Sequence, residues 1–362
     1  MYLALRELRH HRLRSLLIGG IVSLIAFMVF MLTGLTRGLA HDNAALLIET
    51  PATHFVTTRD AEGVFTRSFL TPDTVSRLQA VAGPTATPTA QSFATFSRGE
   101  RQLSGVLMGV PPGSFMNPTA QQGQPLKAGS TGAVVDESLQ EEGVRLGDTL
   151  TLKPGGETLQ VIGFTRAARL NHQPVVFVTL EHWQTLNPRL QGTVNTVALN
   201  TGAPNTGGAA ARAAQVAGVS VHTRAEALQE LPGYREEQGS LIMIQVFLIV
   251  VAAFVLAVFF YVLTLQKTPQ FGLLKAIGAS TRTLAGSLLA QMMILSVLAV
   301  TVAALVTLGA AALLPSGLPF ALTAPTVLGA SALLIAVAAL SSLLSLGSIA
   351  RVDPLIAIGT ST

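Results

Sequence analysis

Apolar and polar positions follow two different rhythms along this chain. Leu16 to Leu35 carries no charged residue, and its length matches a hydrocarbon core of about 30 Å at 1.5 Å per helical residue. Ser240 to Leu265 is also uncharged. Thr283 to Leu314 is an over-long apolar run, which must tilt or extend beyond a bilayer. Thr326 to Ala350 is rich in Ala, Ser and Gly, a composition that lets helices pack closely. The stretch 38–239 is different: Thr, Gly, Pro, Asp and Glu are frequent, and apolar residues alternate over short segments.

The pattern predicts a membrane α-helical protein with four transmembrane helices at 16–37, 240–265, 283–314 and 326–350. An extracytoplasmic α+β domain at 38–239 is inserted between helices 1 and 2. Strands are expected at His54–Thr58, Gln91–Ser97, Gln102–Val110, Gly132–Asp136, Thr149–Leu152, Thr158–Phe164, Val175–Thr179 and Val194–Asn200. Helical pieces are expected at Pro72–Val81, Glu181–Leu186 and Gly208–Gln215, with a flexible loop over Asn200–Gly208. Pro315, Gly317, Pro319 and Pro325 mark a short outer loop at 315–325.

Charge sets the expected topology. Arg6, Arg9, Arg12 and Arg14, with His10 and His11, precede the first apolar run, and only Arg37 closely follows it. With Tyr2, Leu3, Leu5 and Leu8 on the other side, 1–15 reads as an amphipathic helix at the cytosolic interface. No A-x-A cleavage pattern follows the apolar run, so it is read as an anchor. Lys267, Lys275, Arg282 and Arg351 put the later connections and the tail 351–362 in the cytosol. Lys and Arg total 23 against 19 Asp and Glu, and the excess lies near span ends, which indicates topology and no nucleic-acid partner.

Enzyme chemistry finds little support. The chain has no cysteine, no G-x-x-x-x-G-K-[ST], no H-E-x-x-H and no G-x-S-x-G. Any ATP work therefore belongs to another subunit. Asp136, Glu137 and Asp148 read as solvated surface carboxylates. The apolar runs hold no Asp, Glu, Lys or Arg, Arg37 standing at the very end of the first span, which argues against an ion relay, and Gln245 and Gln291 are read as interhelical hydrogen-bonding groups.

The connection at 266–282 carries a pattern of its own. Pro269 suits a helix's first turn, Phe271, Leu273, Leu274 and Ile277 recur at helical spacing, and Gly278 suits a C-terminal cap. A short amphipathic helix with a knob for another protein's groove is expected. The segment Gln270-Phe-Gly-Leu-Leu-Lys-Ala-Ile-Gly-Ala-Ser280 resembles the E/Q-x-G-x-L-K-A-x-G-A-S segment of FtsX-like (MacB-type) ABC transporter permeases. The resemblance extends to Tyr2–Leu17, to Arg351–Gly359, to the turn Gly143-Val-Arg-Leu-Gly-Asp148 and to the spacing of the spans. It implies that Pro269, Gln270, Phe271, Gly272, Leu274, Lys275 and Gly278 touch a cytosolic ABC ATPase. Pro269–Gln270 stands where an Arg–Glu pair is commoner, which removes an ion pair from that contact. Also implied are a homodimer of this chain, two ATPase copies holding ATP–Mg, a location in the cell (inner or cytoplasmic) membrane among its lipids, and cytosolic termini.

Methionine carries the cargo reading. Met28 and Met31 share a face of the first span, and Met31 sits ~24 Å above Ser15. Met243 lies ~3–5 Å below the outer start of the second span, so Met31 and Met243 are expected at nearly one depth. Thioethers are soft ligands and known axial ligands of heme iron. Phe27, Phe30 and Phe247 are expected to flank a flat apolar ring, with Glu236 and Glu237 as alternative oxygen ligands. Gap filling is the competing role for membrane methionine. The small insert and four spans resemble the HrtB/DevC-type branch of the family, which implies heme as cargo and an HrtA-like ATPase. No permanently bound cofactor is expected. The alternatives are a mechanotransmitter acting on an extracytoplasmic partner, and export of lipid, peptide or drug.

Overall fold

The computed structural model describes residues 12–202, 208–314 and 318–350. The interfacial helix expected at 1–15 falls mostly outside these residues, as do the tail 351–362, 203–207 in the expected flexible loop and 315–317 in the expected outer loop. The chain divides into two compact units: 39–238, and the rest.

Helix α1 (Arg12–Glu49) does not stop at Arg37 as the charge pattern suggests, but continues to Glu49 with one non-helical residue, Ala44 (φ −141°, ψ 23°). The reason lies in 39–49, where Ala44, Ala45 and Leu47 present an apolar stripe that is fully buried.

The inserted unit then runs β1 (His54–Thr58), α2 (Pro72–Ala82), β2 (Ala86–Arg98), β3 (Arg101–Val110), β4 (Gln122–Gly123), β5 (Ala133–Asp136), α3 (Ser138–Glu141), β6 (Thr149–Lys153), β7 (Thr158–Thr165), β8 (Arg169–Leu170), β9 (Gln173–Thr179), α4 (Leu180–Leu186), β10 (Thr196–Leu199), α5 (Ala209–Ala213), β11 (Val219–Thr223) and α6 (Arg224–Gln229). The strands form one sheet in the order β11-β1-β10-β2-β3-β9-β5-β7-β4, with β6 bridging β2 and β7 and β8 on β9. Pairs β3–β9 and β5–β7 are parallel, and the other pairs are antiparallel.

Successive residues of the central strands enter two separate cores, so both faces of the sheet are covered. Leu107, Val135, Val176, Val178 and Val197 pack with Leu78 of α2, Trp183 of α4 and Ala209 of α5. Val106, Met108, Val134, Val175, Phe177 and Ala198 pack with Ala44 and Leu47 of α1 and with Ala227 of α6. The largest buried side chain, Trp183, keeps its indole N–H satisfied by donating to the Leu107 carbonyl at 3.3 Å. Helix α2 starts as its sequence dictates: Thr71 caps it by accepting from the Thr74 amide, and Pro72 occupies the first turn.

Two of the three carboxylates read as solvated are in structural use. Asp136 is only 2% exposed, and its oxygens accept from the amides of Ser138 (3.0 Å) and Ala168 (2.8 Å), which tie α3 and the β7–β8 connection to β5. Asp148 closes the Gly143–Asp148 turn by accepting from the Arg145 amide (2.9 Å) and pairs with Arg98 (2.7 Å). That amide bond, with Arg98 beside it, holds the Asp148 carboxyl below the usual carboxylate range. Glu137 is exposed and lies 3.3 Å from Arg166.

The membrane unit holds most of α1 and of α7 (Tyr234–Ala276), together with α8 (Thr281–Ala311) and α9 (Ala324–Ala350). Among the described residues, four helices are long and apolar enough to cross a membrane. Their shared core includes Val22 of α1, Leu256 and Phe260 of α7, Leu284, Leu288 and Met292 of α8, and Ala338 of α9. The connector between α8 and α9 lies against α1, and the Ala321 amide donates to the Gly34 carbonyl at 3.0 Å. A Cβ at Gly34 would stand 2.3 Å from the Phe320 ring, and one at Gly38 would stand 2.0 Å from the Pro319 carbonyl oxygen. The Gly34-x-x-x-Gly38 spacing thus opens one side of α1 to another stretch of backbone.

Replacing Asp136 by Ala strands two amides and is expected to destabilise the chain by at least about 2 kcal/mol, with Asp136→Asn milder; thermal unfolding of the full chain in detergent measures this. His182 in α4 titrates below its usual value because burial disfavours the imidazolium. The unfolded chain therefore takes up that proton first, and stability falls as pH drops below about 6.5 and levels off once the folded state also protonates. His182→Gln is expected to flatten the stability profile between pH 7 and 5.

Candidate functional site

The site is built on the contact between α1 and α7. Inside the membrane unit, the Gln245 side-chain amide donates to Thr33 Oγ1 at 2.8 Å, while the Thr33 hydroxyl donates back to the Val29 carbonyl at 2.7 Å. A hydrocarbon environment offers such groups no water, so they find each other. The packing repeats this register antiparallel: Phe30 shares a core with Leu248, and Val22 shares one with Leu256.

That register corrects the expected methionine pair. With Thr33 opposite Gln245, Met31 lies level with Phe247 and Met243 lies level with Leu35. The two thioethers are offset by about 6 Å along the helix axes, not at one depth. Met28 is half-exposed and Met31 partly so, while Met243 and Phe247 are about 70% exposed on the outside of the single chain. The aromatic frame is not assembled as expected either. Phe30 is completely buried in a core shared by α1, α7, α8 and α9. Phe27 lines a groove of about 600 Å³ between α1 and α8, with Gly19, Ser23, Leu298 and Val302. Of the acidic pair, Glu236 is exposed, but Glu237 Oε2 already accepts from Asn43 (2.7 Å) and lies 3.2 Å from His172 Nε2. Among the described residues there is no group of three His, Cys, Asp or Glu side chains placed to hold a metal ion.

The coupling segment also takes a different form. No separate helix begins at Pro269; α7 runs through it to Ala276. The missing Pro269 N–H costs one helical hydrogen bond, and such breaks are tolerated in membrane helices where neighbours or water satisfy the freed carbonyl. Pro269 and Gln270 are exposed, and so are Leu273, Leu274 and Ile277; the side chains of Phe271, Gly272 and Lys275 lie outside the described residues. The helix ends as the sequence indicates. Gly278 takes φ +105°, and the Ala279 amide donates to the Leu274 carbonyl at 2.9 Å, the six-residue closure of a Schellman cap. Ser280 then caps α8 by accepting from the Thr283 amide. Lys267 is not on a solvated surface: it is 7% exposed, and its ammonium donates to Gln291 Oε1 of α8. Gln245 and Gln291 therefore both bond between helices, as their placement in apolar runs suggests.

Two family models match the chain. Residues 15–217 match the MacB-like periplasmic core domain, and 242–354 match the C-terminal part of FtsX-like permeases. The chain belongs to the FtsX-like, MacB-type permease family. It is an ABC transporter permease of that type. The permease is 27% identical over 359 residues to the putative hemin transport system permease protein HrtB of Staphylococcus haemolyticus, covering 99% of both chains. The HrtB protein of Staphylococcus epidermidis is 26% identical over the same share. An uncharacterized ABC transporter permease of Mycobacterium bovis is 26% identical over 364 residues, again covering 99% of both.

One cluster had no sequence signal. Asp42, Asn43, Arg169, His172 and Glu237 meet in space from three distant stretches of chain.

Replacing Gln245 by Leu is expected to cost the permease about 0.6–1.7 kcal/mol, a small drop in its unfolding temperature in micelles, whereas Gln291→Leu removes an acceptor from the buried Lys267 ammonium and costs more.

Proposed function

We propose that this permease exports heme, or a similarly flat and apolar amphiphile, from the membrane, driven by a separate cytosolic ATPase of the HrtA-like kind. The observation that carries the reading is the likeness to hemin transport permeases over essentially the whole chain. The thioethers of Met28, Met31 and Met243 on α1 and α7 are in keeping with it, since soft sulfur suits iron in an apolar setting. Their offset within one chain favours each acting as a separate ligand, with a second copy supplying the other side of the cargo. The assembly is a homodimer in the cell membrane, with both termini and the α7–α8 connection in the cytosol and the inserted domain outside. Two ATPase copies hold ATP–Mg and push on the end of α7, where Leu274 and Ile277 stand exposed. The permease itself holds no permanent cofactor, and lipids line its remaining apolar surface.

A second reading draws on α1 and α7, which run unbroken by any loop into the inserted unit: the helices transmit a stroke to that unit and carry no cargo. Cells lacking the chain discriminate the two, since hemin sensitivity follows from the first and a division or wall defect from the second.

Hemin titrated into the purified permease is expected to give a shifted Soret band, with affinity at least tenfold weaker in Met31→Ala or Met243→Ala; equal affinity in wild type and both variants removes these ligands. Phe271→Asp with Leu274→Asp is expected to abolish co-purification of the ATPase and hence transport.

A further inference from the structure

The tightest polar cluster of the inserted unit is used by neither reading. It forms around a two-residue turn, Asn171–His172, where Leu170 of β8 pairs with Gln173 of β9. Both turn residues have positive φ, 51° and 59°, as a type I′ hairpin requires. Asparagine tolerates this conformation well, and glycine is the usual second residue. Histidine enters this region more readily than most side chains, but it stands where glycine is the usual residue, and a side chain kept at such a position is a pointer to use.

What the histidine gains is reach in two directions. His172 Nδ1 lies 2.7 Å from Asp42 Oδ2 in α1, and Nε2 lies 3.2 Å from Glu237 Oε2 in the first turn of α7. Arg169, at the base of the same hairpin, lies 2.6 Å from Asp42 Oδ1 and donates to the His172 carbonyl at 2.8 Å. Asn43 donates its side-chain amide to Glu237 at 2.7 Å, and its carbonyl accepts from the Asn171 amide at 2.7 Å. One imidazole therefore bridges the two helices through which the chain enters and leaves the inserted unit.

Two features make this bridge reversible. The side chains of Asp42, Arg169, His172 and Glu237 are 21–42% exposed, so water can replace the bonds among them at modest cost, while Asn43 beside them is buried. It also stands beside Ala44, where α1 loses helical geometry, while Ala45 and Leu47 beyond that point are packed into the domain core. A joint and a clasp thus coincide within three residues of α1.

We propose that the His172 turn is a releasable tie that fixes the separation of α1 and α7 where they enter the inserted unit, and that the helices spread there only when it opens. His172 is then a positioning residue for the transport stroke. This rests on the permease assignment and not on the identity of the cargo.

The test uses the absence of native cysteine. Spin labels are placed at Arg37→Cys and Ser240→Cys, both exposed and close to the tie, in the full chain diluted with unlabelled copies. Pulsed dipolar spectroscopy is expected to give one narrow distance in the otherwise native chain. His172→Gly is the informative variant, because Asn-Gly is the preferred type I′ pair and the hairpin keeps its geometry without the side chain. It is expected to preserve or raise the unfolding temperature while at least doubling the width of the distance distribution. The double variant Asp42→Asn with Glu237→Gln, which keeps the shapes and removes the charges, is expected to broaden it in the same way. A distribution unchanged from wild type in both overturns the proposal, as does a loss of stability in His172→Gly with the distance unaltered.

Discussion

Hydrocarbon supplies no hydrogen-bond partners, and the membrane half of this permease is arranged around that lack. A hydroxyl deep in an apolar helix can donate to a carbonyl one turn back in its own helix, as Thr307 does to Ala303, but a longer polar side chain reaches a neighbouring helix, and where it does so, it fixes the register of the pair. Thr33 with Gln245 sets α1 against α7, and Lys267 with Gln291 sets α7 against α8. The positions of Met31, Met243 and Phe247 relative to one another are consequences of the first of these bonds. The depth at which the long α8 meets its neighbour is a consequence of the second.

The inserted domain answers a different constraint. A sheet covered on both faces needs apolar residues at consecutive positions, and its cover includes the last turns of α1. The helix that spans the membrane is therefore also a core element of the soluble domain. Acidic side chains at 42, 136 and 148 hold turns and helix ends in place by accepting from backbone amides or pairing with arginine, and Glu237 accepts from the Asn43 side-chain amide.

Much of this was legible in the residues. The longer strands from His54 to Leu199 stand close to where short apolar segments bounded by turn residues placed them, although β2 begins at Ala86 and not at Gln91. Strand β11 and the two-residue strands β4 and β8 were missed, being too short or too polar to show a period. Helix ends were legible where a cap exists, as at Thr71, Gly278 and Ser280, and misjudged at Arg37 and Pro269, where a charge and a proline look like stops but neighbouring structure carries the helix through. Asp136 was misread as solvated because nothing local shows that its carboxylate serves amides 2 and 32 residues away. The site fared least well: depth could be counted from span ends, but the register between two helices depends on a side-chain bond linking residues 212 apart.

Close approach at Gly34 and Gly38 has a mechanical corollary. The α8–α9 connector is seated on α1 backbone to backbone, so α1, α8 and α9 form a braced frame. Helix α7 meets this frame through side chains, at Gln245 and Lys267, and within one chain 17% of its apolar window is buried, against 33% for α1 and α8 and 22% for α9. Force applied at its Schellman-capped end would thus be spent on rocking one strut and not on deforming the whole bundle.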